Sequence, residues 1–272
     1  MSGQQSVTNT HSKLWIGVDI GGTKTAVVLC SEPPAILRRV EFPTLPEHGP
    51  DHALGLIRQA IYQMIQTHEL CPGQIEAIGI SCGGPLDRKR GLVQSPPNLP
   101  GWNNVPIVDI LKGEFKVDCR LENDANAGAV AEHRFGAGQG VENMIFLTMG
   151  TGLGAGIIIG GRLYHGSSDM AGEIGHVRLT PSGPVGYNKA GSVEGWASGG
   201  GMAQAATERV RAAMKKGSVT SLVAQLATNR ILTAKDVADA ARQGDELARQ
   251  IVCDTGTRLG EALAVLVDLL NP

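Results

Sequence analysis

Apolar residues come in short runs at the start of the chain and at helical spacing later, and the change of period marks the elements. LWIGVDI and TAVVLC are rich in β-branched residues and too short for helices, so both are expected to be strands. ILRRVEFPT reads as a third strand. In DHALGLIRQAIYQMIQTHEL, residues Leu54, Ile57, Ile61, Met64 and Ile65 fall on one helical face. QIEAIGISCGG reads as a strand running into glycines, IVDILKGEF as a short helix and CRLEND as another strand. The order is β-β-β-α-β-α-β, hairpins first and crossovers afterwards.

The same pattern restarts in the second half. NMIFLTMG is a strand, GTGLG a glycine turn, AGIIIGG a strand, and RLYHG a third. A long helical region ends in ELARQIVCDTGTRLGEALAVLVDLLN, with Leu247, Ile251, Leu259, Leu263, Leu266 and Leu270 marking its apolar side. By analogy with the first half an inner strand should follow, but the sequence stops at Asn271-Pro272. The expectation is therefore a disordered polar leader over 1–13, an N-terminal α/β domain over 14–122 and an incomplete C-terminal α/β domain over 123–272. The Pro-rich stretch 85–106 is too irregular for regular structure and reads as a long surface loop, of the kind that more often carries function than not.

Composition narrows the function class. With 272 residues and a 42% apolar share, the chain is an ordinary globular protein with no apolar run long enough to span a bilayer. A net charge of -2, spread along the chain, gives no electrostatic case for nucleic acid or a membrane surface. The 37 glycines against 4% aromatics suit ligand loops built from backbone. Five cysteines (Cys30, Cys71, Cys82, Cys119, Cys253) make no paired metal spacing and are expected to be reduced, buried thiols of a cytoplasmic protein.

Each half opens on a glycine turn between two strands. The plain reading of Gly21-Gly22-Thr23-Lys24 is a tight hairpin, since paired glycines accept positive φ, with Asp19 a chance acid at a strand end. GTGLGA (150–155) matches the dinucleotide pattern GxGxxA, but that pattern needs a helix after it, and here a strand follows. A glycine hairpin can still hold phosphate, because its successive N–H groups form an anion nest and no side chain blocks approach. Two such turns, around Gly22 and around Gly150 and Gly152, would grip a nucleotide tail. Thr23, Lys24, Thr148 and Thr151 would add donors, and Asp19 would face the accompanying Mg²⁺ through water.

DIGGTKT, ENDANA, TMGTGLGAGIIIGG and AGEIGH, in that order, resemble the ROK (repressor, open reading frame, kinase) family of sugar kinases, within the actin-like ATPase superfamily. The resemblance runs from about Leu14 to the end of the sequence. It implies two actin-like, ribonuclease H-like α/β domains around a cleft in which ATP and a sugar meet, and relatives often form homodimers. It also implies that the sequence stops short of a strand and an adenosine-contacting turn. In ENDANA, Asn123 and Asp124 read equally as caps of the following helix. The resemblance makes Asp124 the general base for the attacking hydroxyl, with Asn123 capping or touching the sugar. It likewise assigns sugar contacts to Glu173, His176 and Glu194, and matches Asn98, Gly83 and Gly84 to sugar-lining segments. Most of the family carries three cysteines that join the histidine in a zinc site, and this sequence has Val185, Tyr187 and Ser192 at those places. Val and Ser cannot replace thiolates, so no zinc is expected and His176 would be released for the sugar. Packing by Tyr187 is one way to stiffen 182–192.

The expected activity is ATP-dependent phosphorylation of the 6-hydroxyl of glucose or a similar hexose, with Mg²⁺. An N-acetylated amino sugar kinase, a fructokinase, a sugar-responsive repressor and a non-catalytic sugar-binding protein are the alternatives.

Overall fold

A computed structural model describes residues 13–71, 73–217, 220–227 and 231–272. The expected leader, all but Lys13, lies outside the described residues. The chain divides into two compact units, Met1–Ala127 and Gly128–Pro272.

In the first unit the strands β1 (Leu14–Ile20), β2 (Lys24–Cys30), β3 (Ile36–Pro43), β4 (Ile75–Cys82) and a later strand, Asp118–Asn123, form one sheet in the order β3-β2-β1-β4-Asp118–Asn123. The first three pair antiparallel, while β4 and the last strand run parallel to β1. Parallel neighbours need crossovers, supplied here by helices α1 (Gly49–Thr67) and α2 (Ile107–Phe115). α1 buries Leu54, Ile57, Ile61 and Met64 against the sheet, and Ile65 is partly buried, as the helical spacing expects.

The stretch 85–106 departs from the surface-loop expectation. It folds into a short hairpin, β5 (Leu86–Asp87) with β6 (Leu92–Val93), and then drops Leu99, Trp102 and Val105 into the core. Leu99 and Trp102 are wholly buried. Isolated anchors of this sort have no period, so the alternation of polar and apolar residues hides them.

The strand Asp118–Asn123 is β7, followed by α3 (Asp124–Phe135), within which the two units divide. The second unit contains β8 (Met144–Met149), β9 (Leu153–Ile159) and a β10 (Arg162–Leu163) of two residues only, in a three-stranded antiparallel sheet. A hairpin of β11 (Val185–Gly186) and β12 (Lys189–Ala190) precedes helices α4 (Val193–Ala197), α5 (Gly199–Lys215), α6 (Leu222–Ala227), α7 (Ala234–Arg242) and α8 (Glu246–Leu270). α8 buries Ile251 and Leu266 and half-buries Leu247 and Leu259, but Leu263 and Leu270 are exposed. The expected apolar side is thus only partly covered: α4, α5 and α7 pack on α8, and those two leucines lie outside that packing.

Of the cysteines, Cys82 and Cys119 are buried and Cys30 is half-buried, whereas Cys71 and Cys253 are exposed, against the expectation of buried thiols. Cys71 follows α1 on a turn, and Cys253 sits on an outward position of α8. No helix among the described residues is long and apolar enough to cross a membrane.

Candidate functional site

Parallel strands present their carboxyl ends on one edge of a sheet, where ligands of α/β proteins bind. The register sets Asp19 beside Ser81, Ser81 beside Glu122 and Cys82 beside Asn123, so Asp19, Ser81, Asn123 and Asp124 share that edge in the first unit. Ser81 Oγ donates to Asp19 Oδ1 at 3.0 Å, fixing a carboxylate that is itself exposed.

The two roles open to Asn123 and Asp124 separate. Asn123 Oδ1 accepts from the N–H groups of Ala125 (3.0 Å) and Asn126 (3.4 Å), which is helix capping. Asp124 Oδ1 accepts from Ala125 N–H at 2.8 Å. Burial of its surroundings raises the Asp124 pKa and the negative charge of Asp19 adds to the rise, while the Ala125 N–H opposes it. The side chain still reaches solvent, which limits the elevation. A carboxylate whose proton affinity is raised is a better proton acceptor, the property a general base needs.

Gly22 forms part of the turn between β1 and β2. None of Gly21, Gly22, Gly150 and Gly152 takes the left-handed backbone, so the positive-φ reason for the paired glycines does not hold. Room is the reason. A Cβ on Gly22 would lie 2.7 Å from Asn98 Cβ and 2.8 Å from Asn98 O. A Cβ on Gly83 would stand 3.9 Å from both the Asn98 amide and Asp124 Oδ2, and one on Gly84 would lie 3.7 Å from Asn123 Nδ2. The first unit therefore gathers Gly22, Gly83, Gly84, Asn98, Asn123, Asp124 and Asp19. Gly21 N–H bonds Lys24 O, and Lys24 Nζ lies 3.3 Å from both Glu41 oxygens on β3, so that ammonium already has an anion. Thr23 is exposed in the turn, its carbonyl accepting from Thr44 N–H.

The second unit gathers its own set. Glu194, half-buried in α4, accepts from Leu153 N–H through Oε2 at 3.1 Å. A Cβ on Gly152 would lie 2.8 Å from that oxygen. The protein's own carboxylate thus occupies the N–H next to the glycine turn, so a residue assigned to the sugar lies against Gly152, one assigned to phosphate. Gly150 N–H bonds Gly152 O, and the N–H groups of Gly199 and Gly200 at the start of α5 hold the carbonyls of Gly150 (2.8 Å) and Thr151 (3.2 Å). Thr148 pairs with Gly154 in the sheet. Glu173 precedes and His176 ends a 3-10 turn, with His176 Nε2 3.4 Å from Glu173 Oε2. Tyr187 stacks on the His176 ring, the centroids 3.7 Å apart.

Several residues that shape these sets escape the sequence. Thr44 is wholly buried, donates from Oγ1 to Gly21 O at 2.6 Å and meets Thr25 Oγ1 at 2.9 Å, tying the first glycine turn to β3. Ser81 and the Gly199-Gly200 pair are the others. A serine opening a run of three glycines, Ser198 to Gly201, is a cap signal that was available, and Ser198 Oγ does accept from Gly201 N–H.

The sequence pattern of the ROK family matches residues 15–272. A glucokinase of Thermotoga maritima is 38% identical over 259 residues, which is 94% of this chain and 78% of that protein. The crystal structure of a ROK family glucokinase from Streptomyces griseus in complex with glucose and AMPPNP aligns with a TM-score of 0.77 at 35% identity, covering 95% of this chain and 80% of that one. The N-acetylglucosamine repressor of Escherichia coli O157:H7 is 30% identical over 98% of this chain and 63% of its own length. The fold is of the two-domain, actin-like α/β class, and the chain belongs to the ROK family.

One residue fits Mg²⁺ in kind, the exposed and oriented carboxylate of Asp19, whereas the space beside Gly22 and Gly152 is taken by Asn98 and by the Glu194 carboxylate. Among the described residues no group of three or more His, Cys, Asp or Glu is placed to hold a metal ion.

Proposed function

We propose that this sugar kinase transfers the γ-phosphoryl group of ATP to the 6-hydroxyl of glucose, with Asp124 as general base. The observation that carries the reading is the Asp124 carboxylate itself. It stands at the carboxyl edge of the parallel strands, flanks the same glycine as Asn98, and has its proton affinity raised by burial and by Asp19. A hydroxyl proton passes to Asp124 as the hydroxyl oxygen attacks phosphorus, and the pair of electrons in the breaking P–O bond leaves with ADP. Asn123 serves the helix and so fixes the backbone that aims Asp124. Asn98, Glu173, His176 and Glu194 take the sugar hydroxyls, whose adjacent donors and acceptors need convergent polar partners. Asp19, Gly21, Gly22, Thr23 and Lys24 in one unit, and Thr148, Gly150, Thr151 and Gly152 in the other, serve the nucleotide. Asp19 would hold Mg²⁺, which would supply charge neutralisation of the phosphates.

A coupled assay across a hexose panel with ATP and Mg²⁺ tests this. Glucose should be the preferred acceptor, and Asp124→Asn should abolish turnover while glucose binding survives. Near-normal turnover in that variant would sink the base assignment. Similarity to an N-acetylglucosamine repressor supports a second reading, a sugar-responsive protein without kinase activity. Binding of a hexose with no turnover under any condition in the panel would favour it.

A further inference from the structure

The segment 177–197 contains no thiolate, and it is tied to His176 and to α4 by a ring and two polar side chains. The pairing of Val185 with Ala190 and Gly186 with Lys189 leaves Tyr187 and Asn188 as a two-residue loop, with φ 48° and 57°. Both values are positive, as a type I′ hairpin turn demands, and asparagine suits such a position. Tyrosine does not: a bulky residue there is strained, and strain persists where the surroundings over-determine it. What Tyr187 gains is the imidazole. Its ring lies on His176 with centroids 3.7 Å apart and planes 20° from parallel, while its outer side leaves it 54% exposed.

The rest of the hairpin is fastened to the helix that carries Glu194. Ser192 is wholly buried, accepts from Gly195 N–H at 3.0 Å and donates to Gly186 O at 3.1 Å. A Cβ on Gly186 would lie 2.4 Å from Gly195 N, so the strand lies flush on the start of α4. Lys189 Nζ donates to His176 O at 2.6 Å. Ring, backbone carbonyl and helix start are thus each held by one hairpin residue or its neighbour. Val185, Tyr187 and Ser192 supply no thiolate, and His176 Nε2 is turned to Glu173 at 3.4 Å.

We propose that the hairpin 185–190 is a metal-free clamp on His176, in which the Tyr187 ring is the positioning residue that aims the imidazole at the sugar. The aim at a sugar rests on the functional reading above; the clamp does not. Stacking restricts rotation of the imidazole, and the approach of Nε2 to Glu173 Oε2 sets which nitrogen faces which partner.

Tyr187→Gly tests this without unfolding the turn, because glycine suits the positive φ and only the ring is lost. In carbon-edited NMR spectra the His176 ring protons should show an upfield ring-current shift in the parent, lost in Tyr187→Gly and kept in Tyr187→Phe. The KM for the hexose should rise about tenfold in Tyr187→Gly with kcat within about twofold, the pattern of lost binding rather than lost chemistry, and Tyr187→Phe should restore it. Treatment with a zinc-selective chelator, with Mg²⁺ retained, should leave KM unchanged. The clamp is overturned if the His176 shifts do not respond to Tyr187→Gly, or if stoichiometric zinc is found and its removal releases them. Its positioning role is overturned if the shifts move while KM does not and His176→Gln raises KM. An unchanged KM in His176→Gln itself identifies the sugar-contact reading as the part that failed, whatever the NMR shows.

Discussion

Gly152 and Glu194 approach so closely that a methyl group on the glycine would stand 2.8 Å from Glu194 Oε2. The carboxylate is the far end of a flexible side chain and can retreat, but only by releasing Leu153 N–H. Gly152→Ala is therefore expected to cost up to about 3 kcal/mol, the range for a hydrogen bond to a charged group, and to raise the KM for ATP. Glu194→Gln keeps an oxygen acceptor and should unfold close to the parent in urea, while Glu194→Ala should match the Gly152→Ala loss.

Gly22→Ala should be worse for activity. Its Cβ would meet the Cβ and the backbone oxygen of Asn98, and backbone cannot retreat as a carboxylate can. A stability loss of about 1–3 kcal/mol is expected from overpacking, with kcat/KM reduced at least about tenfold. Denaturant melts and steady-state kinetics on the same preparation read both effects.

Gly55 gives the opposite sign. It lies inside α1, and a Cβ there meets nothing within 4 Å. Gly55→Ala should stabilise the protein by roughly 0.5–1 kcal/mol, with kinetics unchanged, because alanine loses less chain entropy in a helix. A lower denaturation midpoint would mean that the outward face of α1 is not the open surface described.

Asp124 makes a pH prediction with two readouts. Its pKa is raised, by burial first and by the Asp19 charge, so the base ionises at a higher pH than an ordinary aspartate. The acid limb of kcat/KM for the hexose should lie there. In stability terms the folded state binds this proton more tightly than the unfolded one. The contribution is therefore present below the unfolded pKa and lost as pH rises through the folded pKa. Asp124→Asn should melt above the parent at neutral pH, and the gap should close in acid.

Trp102 has no exposed surface although it follows a proline-rich stretch. Trp102→Ala should cost about 3–5 kcal/mol, as for any large core side chain, and should abolish folding if the unit is marginal. A loss under about 1 kcal/mol would show that the segment is not part of the core.

The sheets were readable because strands of six to eight residues are apolar runs rich in β-branched residues and too short for helices: β1, β2, β4, β7, β8 and β9 fall within a few residues of their expected places. Two-residue strands such as β5, β6, β11 and β12 are too short to carry a period at all. The glycine turns were found, but for a reason of backbone angle that the structure replaces with close approach by Asn98 and Glu194, partners distant in sequence. Thr44 and Ser81 were invisible for the same cause. A hydroxyl donating to a carbonyl or carboxylate across a sheet leaves no trace in local pattern. Tyr187 was noticed only as a misfit in a family pattern, and its partner His176 is eleven residues away on a different turn.

Asn98 is followed directly by Leu99, which like Trp102 is sealed from water. Any ligand that reaches this amide meets a support already in place, so little freedom has to be surrendered there on binding. Under the sugar role proposed for Asn98, the buried Leu99 and Trp102 would brace that contact, and discrimination there would come from shape more than from movement of the chain.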